Sequence, residues 1–129
     1  FVDLFEEARA AEHDERLATG VRGNHGAAEL LQAATSTGCA ALGWPAAGRI
    51  EVGAAADLTT VTLRSVRTAG TQVGNAVAAV VFAATAADVT DVVVAGQRIV
   101  EGGRHCRLDV TDELDRSIRE VWRAVEAGR

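Results

Sequence analysis

The sequence contains no lysine, no tyrosine and no methionine, a single proline and only two cysteines. All 13 basic side chains are therefore arginines, set against 18 acids for a net charge of −5. The arginines are scattered, so no basic patch marks a nucleic-acid surface. Cys39 and Cys106 stand far apart with no secretory pattern beside them. They read as reduced thiols of a cytoplasmic protein, small hydrophobes in effect. No apolar run approaches the roughly 18 residues of a membrane span. Aromatic residues make up only 4% of the chain, so the core rests on alanine and valine. Such a core gains from burial only where helices approach closely. The length of 129 residues suits one domain.

Strand character is confined to two stretches. Arg49-Ile50-Glu51-Val52 is a strand-sized unit with Ile50 and Val52 two apart, and Gly53 interrupts it. Ala56-Asp57-Leu58 then opens a second extended run through Val61 and Leu63. Asp88–Gly103 predicts a hairpin, with Val92-Val93-Val94 and Arg98-Ile99-Val100 flanking Ala95-Gly96-Gln97. Gly96 supplies the positive φ of its turn.

Helical punctuation surrounds these strands. Residues 3–18 predict a helix capped by Asp3 with Glu6 three residues on, docking by Leu4, Phe5, Ala8 and Ala11. A second helix spans Gly26 to about Ala34, and Thr35-Ser36-Thr37-Gly38 is expected to break it and cap a short helix through Leu42. Gly43-Trp44-Pro45 stops that helix and marks the best boundary in the chain. Residues 76–87 read as a buried alanine-rich helix. Asp109–Ala127 is the clearest helix. Leu114, Ile118, Val121, Trp122 and Val125 form its apolar stripe, and Asp112–Arg116 and Asp115–Arg119 pair on its wet side.

Few groups could react. His13 lies among charges on a solvated helix face, and His25 follows Asn24 in a glycine-rich loop. His105-Cys106 is the best metal-ligating pair but lacks further ligands at zinc spacing. Cys39 reads as core. Gly102-Gly103 is followed by no Lys-Ser/Thr, so no phosphate loop exists. No catalytic, cofactor-binding or metal-binding residue is assigned to any position.

Gly48-Arg49-Ile50-Glu51-Val52-Gly53-Ala54-Ala55-Ala56-Asp57-Leu58 resembles the G-x-I-x-x-G-x-x-A-D-L stretch of the amidohydrolase superfamily. Asp91–Arg104 is similar to the last sandwich hairpin of that superfamily. Asp3–Arg9, Glu15-Arg16-Leu17, Ala41–Trp44 and Val81–Val89 further resemble its formimidoylglutamate deiminase branch. Thr59-Thr60 departs from it, since relatives are more apolar there.

The resemblance implies an α+β fragment. Residues 1–45 would be the last helices of a metal-dependent (β/α)8 barrel, and residues 46–129 the C-terminal part of a small β-sandwich with a terminal helix. The implied reaction is hydrolysis of a formimino C=N bond with release of ammonia, as in histidine degradation. It uses zinc or another divalent metal whose ligands all lie upstream. The opening Phe1-Val2-Asp3, without an initiator methionine, agrees with a piece of a longer polypeptide. The expected partners are the upstream part of that polypeptide and a second copy in a homodimer. Two other readings stay open: another amidohydrolase of nucleobase-deaminase or chlorohydrolase type, and a non-catalytic α+β binding or assembly module.

Overall fold

The computed structural model describes residues 3–128 and shows an α+β arrangement of helices and one antiparallel sheet. Helix α1 (Leu4–Thr19) starts where expected: the Asp3 carboxylate accepts the Phe5 N–H at 2.9 Å, and Gly20 ends it at φ 71°. Its buried side is not the expected one. Leu4 is 73% exposed, whereas Asp3, Arg9 and Glu12 are buried. α1 faces backbone ends rather than an apolar core, so polar side chains are drawn inward to satisfy them.

Helix α2 (Ala27–Gln32) runs into a π-turn at Ala33–Thr37 and then α3 (Gly38–Ala41), without the expected break. The Thr35 hydroxyl donates to the Leu31 carbonyl at 2.6 Å instead of capping a new helix. A threonine bonded back in this way widens a helix but leaves it continuous. Leu30 of α2 and Val81 of α4 (Ala76–Phe82) are buried, with Ala47 and Ala84, in a small apolar core. α4 is shorter than the alanine pattern predicts. Thr85 starts a separate 3-10 turn, Ala86–Asp88, by accepting the Ala87 N–H.

The sheet order is β1-β2-β3-β4, every pair antiparallel, from β1 (Leu58–Val61), β2 (Val89–Val94), β3 (Gln97–Glu101) and β4 (Arg104–His105). Leu58 faces Val93 across the first pair, and Val94 faces Gln97 across the hairpin. Ala95 (φ 49°) joins Gly96 (φ 76°) in the left-handed region, so both central residues of the two-residue turn have positive φ. Asp57 makes the alanine tolerable: its carboxylate accepts the Ala95 N–H at 2.7 Å. That contact gives the Ala-Asp-Leu run a physical task, tying β1 to the far hairpin turn.

Arg49–Val52 is not a strand. Ile50 is 92% exposed, and the segment turns between Gly48 (φ 76°) and Gly53 (φ 91°). Among the described residues no strand lies beside it, and an isolated strand leaves its N–H and C=O groups unpaired. Thr59 and Thr60 are exposed on β1, in keeping with their polar character. Helix α5 (Val110–Ala127) is capped by Asp109, whose carboxylate accepts the Asp112 N–H at 3.2 Å. Every residue of α5 is exposed.

Candidate functional site

Among the described residues polar side chains are buried in two places, and each is fully hydrogen-bonded. In the first, Arg9 reaches from α1 to the end of α4. Its Nη1 donates to the Ala84 carbonyl at 2.8 Å and the Val81 carbonyl at 3.3 Å, while Glu6 holds the other edge of the guanidinium at 2.7 Å. Val81 belongs to the last turn of α4, whose carbonyls lack partners within the helix, and Ala84 follows just beyond the helix end. One turn on, the Glu12 carboxylate accepts the N–H groups of Gly23 and His25, both at 2.7 Å, and so folds the loop after α1 onto the helix. The His25 and Gly23 N–H groups hold this carboxyl below its ordinary range.

The second place is the junction between the polar connection after β1 and the start of β2. Asp88 has no exposed surface, and Arg67 grips it with Nε at 2.8 Å and Nη2 at 2.9 Å. Thr85 donates its N–H to the same carboxylate at 2.8 Å. Beside it, buried Thr68 donates its hydroxyl to the Thr62 carbonyl at 3.1 Å, and its own N–H meets the Ser65 hydroxyl at 3.3 Å. Arg67 first, then the Ser65 hydroxyl, hold Asp88 far below the usual carboxylate range, against the opposing effect of burial.

These shifts set an acid limit on stability. Both Asp88 and Glu12 bind protons less readily folded than unfolded, so the unfolded chain takes up protons first as pH falls. Their contribution is complete above the ordinary carboxylate range near pH 4 and is lost progressively below it. The melting temperature is expected to be flat from pH 8 to about 5 and to fall below about pH 4. Asp88→Asn is expected to flatten that acid limb. Melts across this range on both proteins check the point.

Neither cluster is arranged for chemistry, because each carboxylate is buried and spent on fixed donors. The residues singled out in the sequence are dispersed. His13 is exposed, and His25 is engaged through its backbone. His105 Nδ1 accepts the N–H groups of Arg107 at 3.2 Å and Leu108 at 3.1 Å, a capping role for the loop that enters α5. Cys106 is exposed and Cys39 half-buried, both as free thiols. Among the described residues no group of three or more His, Cys, Asp or Glu side chains could hold a metal ion. A catalytic zinc does not fit the residues present, since its usual set is three protein ligands with an open fourth position. Sequence reading missed Arg67, Asp88 and Asp57 as organising residues, because 21 positions separate the first two and 38 separate Asp57 from Ala95. Among these described residues no helix is long and apolar enough to cross a membrane.

Comparison with known proteins places this scaffold. The chain superposes on the zinc-bound adenosine deaminase of Xanthomonas campestris with a TM-score of 0.85 and 30% identity, over 96% of this chain and 28% of that one. Atrazine chlorohydrolase from Arthrobacter aurescens, complexed with zinc, matches at a TM-score of 0.77 and 26% identity, over 89% of this chain and 25% of that one. An amidohydrolase from Brucella melitensis matches at 0.68 and 28% identity, over 90% and 26%. The chain therefore spans about a quarter of the length of these relatives. No curated protein sequence matches it. A sequence profile of the amidohydrolase family matches residues 1–99, and the chain belongs to that family.

Proposed function

We propose that this chain is the C-terminal portion of a metal-dependent hydrolase acting on non-peptide C–N bonds, with N-formimino-L-glutamate as substrate and ammonia as product. In this reading residues 1–45 are the closing helices of a barrel. Residues 46–129 are the C-terminal part of a β-sandwich with its terminal helix. The observation that carries it is the family match over residues 1–99 together with superposition on a deaminase over 96% of the chain. The choice of a formimino substrate rests on the four stretches similar to the deiminase branch, Asp3–Arg9 and Val81–Val89 being the longest of them. These two touch each other: Arg9 donates to the Val81 and Ala84 carbonyls, and Asp3 accepts the Ala86 N–H.

The role of the chain is positional. Arg9 and Glu12 lock α1 against α4 and the following loop, and Asp57 and the Arg67–Asp88 pair lock the sheet. A rigid support of this kind keeps reacting groups held elsewhere within the narrow tolerance that catalysis requires. The metal belongs to residues outside those described. A second reading, deamination of a purine nucleoside, is favoured by the 30% identity to the Xanthomonas adenosine deaminase.

The test offers N-formimino-L-glutamate, adenosine and a chlorotriazine in parallel to the longer polypeptide carrying this chain, purified with zinc, and reads ammonia release from the first two and chloride release from the third. Turnover of N-formimino-L-glutamate at least a hundred times faster than the others, about 3 kcal/mol in transition-state stabilisation, is expected. Turnover of adenosine alone overturns the formimino choice and leaves the hydrolase reading standing.

A further inference from the structure

We draw no further inference here: the strongest candidate, the apolar stripe of Leu114, Ile118, Val121 and Val125 on α5, lies exposed on a chain that spans about a quarter of its relatives' length, and nothing in the structure shows what covers it.

Discussion

Gly48→Val is expected to destabilise the chain by roughly 2–4 kcal/mol, combining a forbidden backbone conformation with a backbone clash. Gly48 sits at φ 76°, and a Cβ there would lie 2.7 Å from the carbonyl carbon and oxygen of Thr35 and 2.8 Å from the Ser36 nitrogen. Those atoms are the π-turn backbone and cannot rotate away as a side-chain tip could. Gly96→Val supplies the internal comparison. It has a similar φ of 76° but nothing within 4 Å of its Cβ position, so only the conformational cost of about 1 kcal/mol remains. Chemical denaturation of the two variants should therefore rank Gly48→Val well below Gly96→Val. Equal midpoints would mean that the Gly48–Thr35 approach is absent in solution.

Arg67→Ala is expected to be the most damaging substitution in the sheet layer, lowering the melting temperature by roughly 10 °C. It leaves Asp88 with no exposed surface, an ionised carboxylate and only the Thr85 and Ser65 groups as donors. Asp88→Asn should be milder, because the amide keeps most of the shape and removes the charge that needs pairing. Arg67→Ala/Asp88→Asn together should recover part of the loss, since the buried charge and its missing partner vanish at once. A double variant no better than Arg67→Ala would show that the guanidinium acts through packing and not through the pair.

The parts of this fold that were legible are those written in local chemistry. Asp3 and Asp109 announce helix starts because a short carboxylate satisfies its own neighbours' N–H groups, and both do so. The Val92–Val94 and Arg98–Val100 runs with Gly96 between them mark the hairpin by local pattern. Long-range pairing was not legible. Nothing in the order of residues reveals that Arg67 seeks Asp88, that Asp57 reaches Ala95, or that Arg9 points inward at the end of α4. Arg49–Val52 misled for a related reason: alternation marks strand potential, and a strand also needs a neighbour. The amidohydrolase family was legible through its motif at Gly48–Leu58, although the motif is structural and carries no reacting group.

The claim that this chain supplies a scaffold and no metal ligand is tested most directly by elemental analysis of the purified 129-residue chain after exposure to zinc and desalting. The account predicts clearly substoichiometric zinc, unchanged by His105→Ala and Cys106→Ala. One tightly bound zinc per chain, removed by those two substitutions, would contradict it.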